Sequence, residues 1–311
     1  MTMRQIIRAI AAAFFFALSS AGGVASAGEK IVLLISLEEA PFKQTVAGFS
    51  NYLSQQGIQA GYEVYSLEGD AARVGPAIQK IKKSDAKLIF TVGSLATDAA
   101  LKEITDIPIV AGLVLRTDNL RKAQNATGVG LEFPLETQLE WLQRFLPQAK
   151  SIGLIFNPDE NQKRVEAAAR IARKMGLKLE SQEVHAPQDM PAALNNLSKR
   201  ADVLWGLADN LALSPQIAKY ILLFSFQNKI PFIGPSSTWV KAGALYALDW
   251  DYADLGAQCG ELAHKALAGV PLSSIPPAAP RKVMYSINQF TARQLKIPLP
   301  EDLVRGAKLT Y

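Results

Sequence analysis

The chain is poor in the residues that cross-link a fold or bind soft metals: 311 residues hold one cysteine, Cys259, and two histidines, His185 and His264. A single thiol excludes an internal disulfide, and one thiol with two imidazoles cannot complete a zinc cluster. Cys259 reads as a small buried residue on a helix. The familiar catalytic signatures are missing as well. There is no G-x-S-x-G elbow and no G-x-x-x-x-G-K-[ST] loop, and Gly128-Val129-Gly130 stops short of a complete G-x-G-x-x-G. His185 is followed by Ala-Pro and His264 falls within a helical stretch, so neither reads as a general base. An enzyme therefore has no residues to rest on, and no cofactor is expected.

Long hydrophobic runs are scarce too. The longest near the start, Ala9 to Leu18, is far short of the ~20 residues a spanning helix needs. Arg4 and Arg8 precede it and Ala25-Ser26-Ala27 follows, so residues 1–27 read as an export leader cleaved after Ala27. No cysteine stands where a lipid anchor would be attached, and the mature protein is expected to be soluble and periplasmic. Losing Arg4 and Arg8 takes the formal charge from +5 to about +3. That excess is small and dispersed, and Asp85 follows the one tight cluster, Lys80, Lys82 and Lys83, so nucleic acid is not an expected partner. The remaining ~280 residues exceed what one core usually spans, which predicts two lobes in a monomer.

What is present is alternation. Short apolar, β-branched runs alternate with stretches of helical period, the mark of βαβ units, and the fold class is α/β with two Rossmann-like lobes of parallel strands. Strands are predicted at Ile31 to Ser36, Glu63 to Ser66, Leu88 to Val92, Ile107 to Ala111, Ser151 to Phe156, Lys178 to Val184, Asp202 to Gly206, Ile230 to Ile233, Ala244 to Leu248 and Val283 to Ile287. Helices fall between them, among them Phe42 to Gln56, Pro158 to Met175, Pro215 to Asn228 and Tyr252 to Ala268. The glycine- and proline-marked stretch Gly128 to Pro134 predicts a crossing between lobes. Gly269 to Pro280, with four prolines and two serines, predicts another. The expected division is residues 28–132 with 249–272 as lobe 1, and 133–248 with 273–311 as lobe 2.

In an open parallel sheet, ligands bind where the loops after the strands meet helix N-termini, and two such rims facing each other make a cleft. Ser36 ends the first strand, and Gly93-Ser94-Leu95-Ala96-Thr97 is the best anion candidate: the glycine permits close approach and Ser94 stands at a helix start. Ser94 as the helix cap is an equally good account. Asn157-Pro158-Asp159-Glu160 has the cap, proline and third-position glutamate of a capping box, which accounts for it structurally. Asp209 and Asn210 are the strongest candidates, because Ser214-Pro215 already supplies the next helix start; Asp209 could receive an ammonium, with an ordinary Asx-turn as its rival. Ser236 follows a strand and could line the cleft. Trp205, Trp239 and Trp250 could wall an apolar pocket or pack in the core.

Taken in order, Ala40-Pro41-Phe42 with Gly48-Phe49, Thr127-Gly128-Val129, Leu146-Pro147 before Ile152-Gly153, and Asn157-Pro158 with Glu160 resemble the ABC transporter substrate-binding family that includes tryptophan- and tyrosine-binding lipoproteins. Asp209-Asn210, Ile230-Pro231-Phe232, Gly243-Ala244-Leu245, Asp251-Tyr252 with Gly256, Ile287-Asn288 and Ile297-Pro298 continue the likeness. The resemblance implies a type I periplasmic-binding-protein fold that closes on a small polar or amphipathic solute, such as an amino acid. It also implies delivery to an ABC permease, with the Ser94 loop on one lobe and Asn157, Asp209 and Asn210 on the other. A periplasmic subunit that reports its ligand to a membrane signalling protein is the alternative. Two departures stand out. Gln162-Lys163 replaces the Asn-Ser that closes the family's Asn-Pro-x-Glu-x-Asn-Ser, and Arg116-Thr117-Asp118 replaces its usual Asp-Pro.

Overall fold

A computed structural model describes residues 28–311; the predicted leader, residues 1–27, lies outside the described residues. The first sheet holds β1 (Glu29–Ile35), β2 (Ala60–Ser66), β3 (Leu88–Val92), β4 (Ile109–Val114) and β5 (Ala126–Gly130) in the order β2-β1-β3-β4-β5. Every pairing in it is parallel. Strands of this kind are covered on both faces, which is why β1, β3 and β4 read as continuous apolar runs without alternation. Ile31 and Leu33 face one core cluster while Val32 and Leu34 face the other.

Helices α2 (Val74–Lys82), α3 (Ser94–Glu103) and α4 (Asp118–Lys122) cover one face. The other is covered by α1 (Ala40–Gln55) and, from far along the chain, α10 (Tyr252–Leu267). These two helices meet backbone to backbone. A Cβ on Gly48 would stand 2.0 Å from the Ala253 carbonyl oxygen, and one on Gly256 would stand 2.0 Å from that of Thr45. Cys259, fully buried on α10, turns its thiol toward the Ala111 carbonyl of β4 at 3.5 Å, and burial pushes its pKa up.

The second sheet, in the order β12-β11-β10-β9-β8-β6-β7, contains β6 (Ser151–Phe156), β7 (Lys178–Glu183), β8 (Val203–Trp205), β9 (Phe232–Ile233), β10 (Tyr246–Trp250), β11 (Val283–Ile287) and β12 (Leu309–Thr310). Helices α5 (Leu135–Phe145), α6 (Pro158–Lys174), α11 (Gln289–Leu295) and α12 (Glu301–Arg305) pack on one face, and α7 (Met190–Leu197), α8 (Pro215–Asn228) and α9 (Ser237–Ala242) on the other. This sheet departs from the parallel expectation at its edge, where β11 runs antiparallel to β10. The chain returns to it from the other lobe, so no βαβ crossover dictates the strand's direction.

Three passages join the lobes. The chain leaves β5 for α5, leaves β10 for α10, and comes back from α10 to β11. β10 carries the second sheet through Trp250, and on the return Ala278 still bridges to Val129 of β5. The proline-rich return is extended as expected, apart from one 3-10 turn at Leu272–Ser274. No described helix is long and apolar enough to cross a membrane.

Candidate functional site

One large cavity, about 1060 Å3, lies between the sheets and is lined from both lobes and from the passages between them. On the first lobe the wall is built at the end of β3. Gly93 turns the chain with φ +93, and a Cβ there would fall 2.6 Å from Ser36 Oγ and 2.8 Å from the Phe42 ring, so glycine is required. Gly93 takes the N-cap position of α3, which makes Ser94 the first helical residue. The capping expected of Ser94 passes to Ser36, whose Oγ accepts the Ala96 N–H at 3.0 Å. Ser94 Oγ makes no hydrogen bond among the described residues, and Ser94 faces the cavity beside the positive end of α3. Thr97 also lines the cavity, but its Oγ1 donates to the Gly93 carbonyl at 2.9 Å. Ser36 and Leu95 do not line it; Leu95 packs on the core beneath α3.

The second lobe presents a different wall. Asp209 is only 6% exposed and its carboxylate is fully engaged. Oδ2 accepts the Asn157 N–H and Asn161 Nδ2, each at 2.8 Å. Oδ1 accepts the Leu211 and Ala212 N–H groups at 3.0 and 2.7 Å. Asp209 thus does have a capping task, contrary to the sequence reading, because it closes its own turn and ties that turn to the start of α6. The Ser214 hydroxyl, expected to cap α8, accepts no cap bond and is buried without a partner.

Asn157 caps α6 as expected, its Oδ1 accepting the Asp159 N–H at 3.1 Å. The capping box is incomplete, however. Asp209 has already taken the Asn157 N–H, so Glu160 turns elsewhere. Its Oε2 accepts the Asn210 N–H at 2.9 Å, and its Oε1 accepts Nη2 of Arg116, from the opposite lobe, at 2.9 Å. One turn along α6, Arg164 pairs with Glu132 on the first passage. Ser236, just before α9, completes the polar lining.

The apolar part of the wall comes from Trp205, Ile233, Tyr246, Leu248, Trp250 and Phe133. The Phe133 and Trp250 rings lie 5.9 Å apart and within 7° of parallel. Trp250 Nε1 donates to the Leu131 carbonyl at 2.7 Å, fastening the second passage to the first. Trp239 stays out of the cavity and packs against Phe232. The structure therefore brings Ser94, Thr97, Asn157, Asp209, Asn210 and Ser236 to one cavity. It adds Arg116, Glu132, Phe133, Glu160 and Arg164, which the sequence reading did not choose. Arg116 carried a signal, since it stands at one of the two departures from the family pattern.

Neither histidine lines the cavity, and the described residues contain no group of three or more His, Cys, Asp or Glu arranged to hold a metal ion. What the arrangement offers is recognition: a helix start with a free hydroxyl on one side, an acid-rich wall on the other, and flat aromatic surface between the lobes.

The family model described as ABC transporter substrate binding protein matches residues 30–310. A tyrosine-binding protein of Clostridioides difficile is 29% identical over 265 residues, covering 80% of this chain and 75% of that protein. An uncharacterized protein of Rickettsia prowazekii is 25% identical over 299 residues, 96% of this chain and 93% of that one. Among solved structures, the ligand-free, open form of a Clostridium difficile substrate-binding protein with adhesive properties matches with a TM-score of 0.74 at 25% identity, over 90% of this chain and 98% of that one. An ABC domain from Streptococcus pneumoniae in complex with L-Trp matches with a TM-score of 0.62 at 21% identity, over 91% of this chain and all of the other, a likeness of fold.

Proposed function

Because the chain belongs to the ABC transporter substrate-binding protein family, we propose that it captures an amino acid with an aromatic or large apolar side chain and delivers it, outside the cytoplasm, to a membrane permease. The observation that carries this reading is the cavity drawn from both lobes, with unspent polar groups at one end and the Phe133–Trp250 surface beside it. A ligand carboxylate fits the start of α3, where Ser94 Oγ and the first helical amides supply donors. The ammonium faces the second wall at Asp159, whose carboxylate lines the cavity. The ligand's flat side chain lies against Trp250 and Trp205, an offset-stacked geometry that adds about 0.5–1.5 kcal/mol beyond area burial. The tyrosine-binding relative supports the choice of class. Closure follows because a ligand touching both lobes binds the closed state better than the open one.

The test is a thermal-shift screen of the mature chain against the amino acids, nucleosides, sugars and small acids. A ligand at a hundred times its dissociation constant adds ~2.7 kcal/mol to the native state. The expected hits are tyrosine, tryptophan or phenylalanine. A screen in which only sugars or nucleosides shift the melt overturns the reading.

A further inference from the structure

We propose that two ion pairs carried by α6 latch the lobes together across the cleft, and that Arg116 thereby biases the cleft toward its closed state. Glu160 and Arg164 lie four residues apart, on one face of α6 in the second lobe. Glu160 receives Arg116 from the loop after β4 of the first lobe, and Arg164 receives Glu132 from the first passage. The polarity is opposite in the two pairs, so α6 offers an acid and a base to a base and an acid across the gap, and no net charge is stranded when the lobes meet.

The halves of the first pair are not equivalent. Glu160 also accepts both the N–H and the side-chain Nδ2 of Asn210, at 2.9 and 3.3 Å, so its carboxylate stays in place whatever Arg116 does. Arg116 has no second partner among the described residues and is 49% exposed, so it is the half that can leave. When it does, Glu160 and Arg164 have each other. An acid four residues before a base is the favourable order for a pair along a helix, and Arg164 Nε, buried here without a partner, gains an acceptor. Opening therefore exchanges two interlobe pairs for one intrahelical pair, with Arg116 and Glu132 returned to solvent. Such a latch biases closure without locking it. Partly exposed pairs shift an equilibrium by about two- to five-fold each, and a more populated closed state raises apparent affinity in proportion.

The inference rests on the cleft being the one that opens and shuts in the proposed function, and its test uses unliganded protein so that the two can fail separately. Spin labels are placed at Lys102→Cys on α3 and Lys199→Cys just beyond α7, both exposed and outside the cleft lining; the buried Cys259 is left in place. Distances between them are measured by double electron–electron resonance. The wild-type chain is expected to show a short-distance population that Arg116→Gln reduces about two- to five-fold. Raising salt should reduce it in the wild type and reduce it less in the variant, which keeps only the Arg164–Glu132 pair, and Arg116→Lys should restore part of it. Should Arg116→Gln give any sign of misfolding in its melt, Glu132→Gln replaces it as the variant. Distance distributions identical in wild type and variants, or equally salt-sensitive in both, overturn the latch. A screen that finds no amino-acid ligand overturns the proposed solute class and leaves the latch result standing.

Discussion

The two walls of the cleft reach it by opposite routes. On the first lobe a single glycine turn delivers the start of α3, and Ser36, reaching in from the end of β1, accepts the Ala96 N–H, so the Ser94 hydroxyl is left over. On the second lobe almost nothing is left over. Asp209 accepts four hydrogen bonds, Asn157 is both cap and donor, and Glu160 and Asn210 hold each other. The second wall is a web whose groups hold one another in place; the first offers groups with capacity to spare. Side chains that look alike as polar loop residues therefore divide into scaffold and recognition according to whether the fold has already used them.

The largest expected effect tests the scaffold half of this contrast. Asp209→Ala removes the acceptor of four donors in a wall that is only slightly exposed, and buried donors left unmet cost about 1–3 kcal/mol each before relaxation. A loss of ~3–4 kcal/mol in the ligand-free protein is expected, which at about 2–4 °C per kcal/mol lowers the melting temperature by roughly 6–16 °C. Ligand binding falls with it, because the start of α6 loosens. A variant that melts with the wild type yet binds nothing would reverse the assignment and make Asp209 a ligand contact.

That reversal would restore the reading the bare sequence suggested, and the reason the sequence misled is instructive. Where the structure follows from local pattern, the residues announce it. Leu88–Val92, Ser151–Phe156, Val283–Ile287 and Pro215–Asn228 fold with the limits their apolar runs and helix-start residues imply. The pairings that decide the site are not local. Ser36 caps a helix sixty positions away, and Asp209 holds donors some fifty positions earlier in the chain. Glu160 had the spacing of a capping box, but that bond was unavailable once Asp209 held the Asn157 N–H. The antiparallel β11 likewise carries no mark of its direction, which depends on where the return passage re-enters the sheet.

A smaller effect tests the recognition half. Ser94→Ala removes a hydroxyl that no other group uses, so the ligand-free stability should stay within about 0.5 kcal/mol of wild type. Affinity for an amino acid should fall about ten-fold, the loss of one hydrogen bond to a charged carboxylate. Calorimetric titration with the best ligand from the screen measures it. Unchanged affinity would remove Ser94 from the recognition wall and leave the helix amides as the anion site.

The smallest effect belongs to neither wall but to the passages that let them move. Asp251 caps α10 at the second passage, accepting the Asp254 N–H at 3.1 Å, and pairs with Lys282 on the third. The hydrogen bond from Lys282 holds the Asp251 carboxyl below its ordinary pKa, against a burial effect that works the other way. The native state therefore binds its proton less readily than the unfolded chain does. The stability this confers is complete above the unfolded carboxylate pKa of about 4, and is lost as pH falls through the lower native value. Urea midpoints measured from pH 7 down to pH 3 should fall less steeply for Asp251→Asn than for the wild type, with the variant the less stable at pH 7. Lys282 is about half exposed, so solvent weakens the pair and the difference between the curves is small. Parallel curves would mean that the passages owe no stability to this pair.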